Sequence, residues 1–187
     1  MDTAERLIRS AQQLLWERGY VGTSPKAIQQ LAEAGQGSMY HHFTGKQDLA
    51  FQAIRRNAEQ LCSEADERLS TPGTFYERIA AYLLRERDVL RGCRVGRLAA
   101  DPDVLASPVL RGLLDETFIW LNGRIEELLV EGRECGEFSE ALVPSDVACA
   151  ITAVVQGGYV LAMSAASPEP FERAARGALN LLTAYTT

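Results

Sequence analysis

Residues 23–46 read TSPKAIQQLAEAGQGSMYHHFTGK, and this stretch decides the fold. It holds both histidines and both lysines of a 187-residue chain whose other basic residues are all arginine. Ser24 is a helix N-cap, and Pro25 follows at the first helical position, where its missing N–H costs nothing. The helix it opens is short, about 25–32. A tight turn follows, then a second short helix over about 35–43. In that second helix Met39 and Phe43 stand four apart and face inward with Ile28 and Leu31. Gln36 and Tyr40 share a different face, and Gly35 and Gly37 strip that face of bulk. A glycine inside a helix costs up to ~1 kcal/mol, so two of them point to close approach of a partner. Two short helices, a tight turn and a polar outward face make a helix-turn-helix.

The side chains in it suit nucleic acid. The Gln36 amide can pair with an adenine edge, a contact worth roughly 1–3 kcal/mol of discrimination. Ser38 can donate to a base or a phosphate, and Gly37 beside it leaves room. Tyr40 and His41 are positioned for phosphates, while His42, next to Phe43, is divided between phosphate contact and packing. Ser24, Pro25 and Lys26 open one helix and Lys46 opens the next, and helix N-termini carry partial positive charge. The expected DNA-binding set is therefore Ser24, Pro25, Lys26, Gln36, Gly37, Ser38, Tyr40, His41, His42 and Lys46, facing double-stranded DNA.

Charge is shared unevenly in a way that fits. Residues 1–56 carry seven Lys/Arg against five Asp/Glu, whereas residues 57–187 carry 12 against 20. The acidic remainder repels a polyanion, so contact with nucleic acid has to use the N-terminal quarter.

Helical periodicity runs almost throughout and no segment alternates at period two for long, so the fold class is all-α. Leu7, Ala11, Leu14 and Leu15 mark a first helix that Gly19 ends. Thr44 and Gln47 have capping-box spacing and open a long helix whose inner face is Leu49, Ala53, Ile54, Ala58 and Leu61. The expected organisation is a three-helix helix-turn-helix domain over 1–50, a linking helix over 45–69, and a second helical domain over 51–187, to which the family resemblance described below adds ligand binding and dimerisation. Further helices are expected at about 74–90, 94–100, 107–135, 144–166 and 169–185.

Several function classes drop out. Cysteines 62, 93, 135 and 149 form no C-x-x-C and lie apart from the histidines, so neither a metal nor a cofactor is expected. Reduced thiols and the absence of a signal sequence fit a cytoplasmic protein. The uncharged run 147–168 contains Gln156-Gly157-Gly158 and is flanked by Asp146 and Glu169, which suits a buried interface helix and not a membrane span. With no histidine outside the reading helix, no Ser/His/Asp order and no phosphate loop, no enzyme is expected.

Residues 5–54 resemble the DNA-binding domain of the tetracycline-repressor (TetR) family. The resemblance rests on Ala11, Leu14-Leu15, Glu17-Arg18-Gly19-Tyr20, Thr23-Ser24, Ile28, Ala32, the run Gly37-Ser38-Met39-Tyr40-His41-His42-Phe43, Lys46 and Leu49. It implies a homodimeric transcriptional regulator, usually a repressor, whose C-terminal domain binds a small molecule and so releases DNA. One departure stands out: the family usually has glycine where this chain has Glu33. A non-glycine residue in a left-handed turn costs ~1 kcal/mol, so either the turn differs here or affinity is trimmed.

Residues 91–98, Arg-Gly-Cys-Arg-Val-Gly-Arg-Leu, resemble a Gly-Cys-x-x-Gly segment of one subgroup of that family, in the helix that carries the effector signal. On that basis Cys93 and Arg97 are effector-site candidates. The central helices offer Tyr82, Phe118, Trp120, Leu121, Gln156, Tyr159 and Met163 as pocket walls, although an aromatic stripe at this spacing also serves as plain core. A different class of sensor is a thiol switch in which Cys93, beside Arg91 and Arg94, responds to oxidants. The helix over about 144–166 is apolar nearly all round and must be buried on more than one side. Paired with the helix over about 169–185, it is the expected homodimer surface, a two-fold four-helix bundle.

Overall fold

The computed structural model describes residues 2–187, with the backbone alone at Gln36. Among these residues the secondary structure is nine α-helices and a 3-10 turn, with no strand beyond one isolated bridge between Phe138 and Thr186. The helices are α1 (Thr3–Arg18), α2 (Pro25–Leu31), α3 (Gln36–His42), α4 (Lys46–Leu69), α5 (Phe75–Leu84), α6 (Pro102–Ala106), α7 (Pro108–Glu134), α8 (Pro144–Ala165) and α9 (Glu169–Thr183); the 3-10 turn is Gly96–Ala100. Contacts divide the chain into two compact units, Met1–Gln60 with Cys93–Glu116, and Leu61–Gly92 with Thr117–Thr187.

The first unit is a three-helix core with an added strap. Leu7, Ala11, Leu14 and Leu15 of α1 are buried, as are Ile28 and Ala32, Met39 and Phe43, and Leu49, Ala53 and Ile54 of α4. Leu31 is not part of that core: it is 43% exposed. α2 has only two turns, and the pair four apart, Ile28 and Ala32, takes the inward side. The strap, residues 93–116, lies on the C-terminal end of α1. Arg97 Nη2 donates to the Glu17 carbonyl (3.1 Å), the Val21 N–H donates to Asp101 Oδ2 (2.9 Å), and the Arg94 guanidinium sits 4.5 Å from the Trp16 ring centroid.

The expected helix over 94–100 is a 3-10 turn that breaks before a short α6, and α6 breaks before α7, Pro108–Glu134, which is the expected helix over 107–135. Both breaks have a physical cause. Asp101-Pro102 starts a fresh helix, with the Asp101 carboxylate accepting from the Asp103 N–H (3.2 Å), and Ser107 adopts extended backbone before Pro108. The Thr44 cap also differs: α4 begins at Lys46, so Asp48 and not Gln47 accepts from the Thr44 N–H (2.9 Å), while Gln47 donates to Ser107 Oγ (3.1 Å).

In the second unit α5 stops at Leu84, short of the expected residue 90. Arg87 ends it by donating to the carbonyls of Tyr82, Leu83 and Arg85. The opposite end of α5 is capped twice: Thr74 and Glu77 form a capping box, and the Glu137 carboxylate accepts from the Phe75 and Tyr76 N–H groups (2.9 and 2.7 Å). α8 and α9 pack together with Phe171 against Gly158, where an added Cβ would come within 2.8 Å of the ring. α8 is long and apolar enough to cross a membrane by length and composition alone, but its Ala148, Ile151, Val155, Tyr159 and Ala162 are buried within the fold.

Candidate DNA-binding surface

α2 is held at both ends. Ser24 Oγ accepts from the Ala27 N–H (3.1 Å), as its N-cap position requires, and the buried Thr23 hydroxyl donates to the Gly19 carbonyl (2.7 Å). At the other end the Ala34 N–H reaches the Gln29 carbonyl (2.9 Å) and the Glu33 N–H the Gln30 carbonyl (3.2 Å). That pair is a Schellman motif, which needs its central residue in the left-handed region. Glu33 occupies it at φ 50°. The turn therefore keeps the geometry that favours glycine and carries a carboxylate there instead. Arg6 of α1 donates to the Ala32 carbonyl (3.0 Å) and ties the turn to the core.

α3 then presents two faces. Met39 is fully buried and Phe43 7% exposed, and Gln29 Nε2 touches the Met39 sulfur at 3.3 Å. On the other face Tyr40 is 55% exposed, with Gly37, His41 and His42 also exposed and Ser38 partly so. A Cβ added at Gly35 or Gly37 would meet nothing within 4 Å, so their neighbourhood is open. The two histidine rings pack edge-on at 5.1 Å, and neither is buried. Gln36 is the first residue of α3, and its side chain lies outside the described set. Ser24, Pro25, Lys26 and Tyr40 line one shallow groove with Gln29, Gln30 and Ala34, so α2 and α3 contribute to one continuous surface.

Lys46 is less free than its sequence position suggested. Its ammonium lies 4.0 Å from the Tyr20 ring centroid and is half-buried. Burial pushes its pKa down, while Asp101 and Asp103 push it up. The same surroundings raise the Tyr20 phenol, burial first and then the two aspartates. Tyr20 and Asp101 were not legible as parts of this site. Tyr20 enters it because Lys46 folds onto its ring, and Asp101 because its carboxylate accepts from the Val21 N–H.

The effector candidates separate. Tyr82, Leu121 and Tyr159 are buried in the second unit, Phe118, Gln156 and Met163 are half-buried there, and Trp120 is 38% exposed. Tyr82 and Tyr159 gather with Phe171, an aromatic that the candidate set lacked: Tyr159 and Phe171 rings are 5.0 Å apart. Arg87, also missing from that set, lies 5.2 Å from the Tyr82 centroid and 5.3 Å from that of Phe171. Cys93 and Arg97 belong to the first unit. There Cys93 is 6% exposed, and its sulfur accepts from the Gly96 N–H at 3.2 Å.

A helix-turn-helix with an open polar face, followed by a second helical unit, defines a DNA-binding transcriptional regulator. Comparison with known proteins gives the family. The family model "Bacterial regulatory proteins, tetR family" matches residues 7–53, and "Tetracyclin repressor-like, C-terminal domain" matches residues 73–178. The chain is 26% identical to the HTH-type transcriptional repressor NemR of Escherichia coli K12, covering 97% of this chain and 94% of that protein. It is 25% identical to the repressor DhaR of Mycobacterium sp. strain GP1, over 90% of this chain and 86% of that one. The crystal structure of E. coli NemR in its reduced form superposes with a TM-score of 0.84 at 25% identity, covering 96% of both chains. The chain belongs to the TetR family, as a ligand-responsive DNA-binding regulator.

Proposed function

We propose that the protein is a repressor that holds a palindromic operator as a homodimer and leaves it when a small molecule binds residues 51–187. The observation that carries this is the two-sided α3, with Met39 and Phe43 buried and Tyr40, His41, His42 and the edge at Gly37 open. Ser38 and Gln36 read bases in the major groove, while Tyr40, His41, His42 and Lys26 contact the backbone. Ser24 and Pro25 hold α2 at the rim. Lys46 exchanges its seat between Tyr20 and the two aspartates for a phosphate. NemR and DhaR are named as repressors, which favours repression over activation.

The dimer forms through α8 and α9. Cys149, Ala153, Gly157, Val160 and Leu161 make an exposed stripe along α8, and Leu181 of α9 is 74% exposed. A Cβ at Gly157 would meet nothing within 4 Å, so this glycine is open to a partner helix, whereas Gly158 serves packing inside the protomer. Two-fold pairing of these helices builds a four-helix bundle and presents two reading helices about one DNA turn, ~34 Å, apart. Such a regulator works in the cytoplasm, where the operator is.

The test is binding to the DNA flanking its own gene, followed at rising salt. Steeply salt-dependent, sequence-selective binding supports the proposal, and salt-insensitive or absent binding refutes it.

A thiol-responsive mechanism through Cys93 is the second reading. The Gly96 N–H bonds its sulfur, and Arg91 and Arg94 stand either side of it in sequence. NemR was solved in a form named as reduced. Operator release by oxidant in wild type but not in Cys93→Ser is the expected outcome of that mechanism, and equal release in both excludes Cys93.

A further inference from the structure

A groove of about 320 Å³ opens in the second unit between the chain just after α5 and the first half of α9. Its apolar wall includes Leu83, Val89, Phe171 and Ala175, and its basic members are Arg85, Arg87 and Arg176. Two carboxylates, Glu86 and Glu172, also line it. Most of this charge is already spoken for. Arg176 pairs with Glu172 (3.6 Å) and Arg85 with Glu64 (3.0 Å). Arg87 has no carboxylate within ion-pair distance among the described residues.

Arg87 is instead held by three backbone carbonyls and two aromatic rings, neutral partners that leave its charge without a counter-ion. Its Nε–H is buried and meets no acceptor from the chain, and the same is true of Arg85 Nε. Buried polar groups are seldom left so, and two on arginines lining one groove are more unusual still. Burial and then the neighbouring Arg85 charge both push against the ionised form of Arg87, a strain that an anion in the groove would relieve.

We propose that this groove binds a small amphipathic monocarboxylate, with its carboxylate on Arg87 and its hydrocarbon part against Val89, Phe171 and Ala175. The planar guanidinium is suited to a carboxylate. The volume sits at the small end of ligand pockets, about 300–1,000 Å³, so it selects short and medium chains. The groove lies on the face of α9 opposite Leu181, so the proposed dimer surface leaves it open. What binding does to DNA rests on the reading of residues 51–187 as a sensor, whereas the site itself does not.

The experiment is titration of the full-length protein with straight-chain carboxylates from butyrate to decanoate at constant ionic strength. The matching alcohols serve as uncharged controls, with binding read by calorimetry and operator affinity read in parallel. Saturable binding of a mid-length acid is expected, with the alcohol about tenfold weaker or more. Arg87→Met should abolish it, but Arg87 also ends α5, so Leu84→Glu is the second variant. Leu84 lines the groove, is 57% exposed, and tolerates a charge without loss of core. Leu84→Glu should also weaken the acid about tenfold while leaving the thermal midpoint unchanged. No saturable binding at any chain length, equal binding of acid and alcohol, or an unaffected Leu84→Glu variant each overturns the proposal and leaves the regulator reading intact. Binding as expected without any change in operator affinity supports the site and counts against the sensor reading.

Discussion

Glu33 is the residue at which local structure and DNA contact can be separated most cleanly. It holds φ 50° at the centre of the Schellman turn between α2 and α3. An L-residue there costs about 1–2 kcal/mol relative to its ordinary conformations. Glycine removes that cost but loses about 0.5–1 kcal/mol through the freer unfolded chain. Glu33→Gly is therefore expected to be more stable than Glu33→Ala by about 0.5–1 kcal/mol, which is a shift of about 1–4 °C in a protein of this size. Both variants remove a carboxylate from the C-terminal end of α2, where the helix dipole disfavours it, and from the surface that meets phosphate. Both should bind operator more tightly than wild type, by similar factors that shrink as salt rises. Thermal denaturation and operator titration on the same three proteins check this. A Glu33→Gly variant less stable than Glu33→Ala would refute the strain argument, and weaker DNA binding by both would refute the charge argument.

Asp101→Ala removes the acceptor of the Val21 N–H and the cap of α6 together, and should cost about 1–2 kcal/mol in urea unfolding. Leu161→Glu puts a charge on the exposed stripe of α8 and should give monomers in sedimentation with weakened operator binding; a dimer of undiminished stability would move the interface elsewhere. Glu5 and Asp66 have carboxyls held below their ordinary values of 4.5 and 3.8, by Arg56 and Arg124 respectively. Carboxyls depressed in this way contribute stability that is present above those ordinary values and is lost as pH falls through the lower folded ones. Asp66→Asn should flatten that part of the acid limb, and an unchanged limb would mean that the Arg124 pair carries nothing.

The reading face was legible because its signals are local. Ser24-Pro25 announces a helix start, and Met39 and Phe43 divide α3 by spacing alone. The turn at Glu33 could be located but not shaped, since its left-handed backbone is imposed by carbonyls on α2. What escaped were groups whose role depends on distant partners. Asp101 meets Val21 across 80 positions, Glu137 caps α5 from 62 away, and Tyr20 matters because Lys46 folds onto it. Leu31 was assigned inward on hydrophobicity, which a two-turn helix cannot honour on both sides. Arg87 looked like one arginine among many until its three carbonyls and two rings set it apart.

The central claim is that α3 and its flanking lysines meet DNA. Fluorescence anisotropy with the DNA flanking the protein's own gene, at several salt concentrations, tests it most directly in wild type, Tyr40→Ala and Lys46→Ala. Both variants are expected to lose about tenfold in affinity, and Lys46→Ala should lower the salt slope by about one unit. Variants that bind as tightly as wild type, with the same slope, would contradict the account.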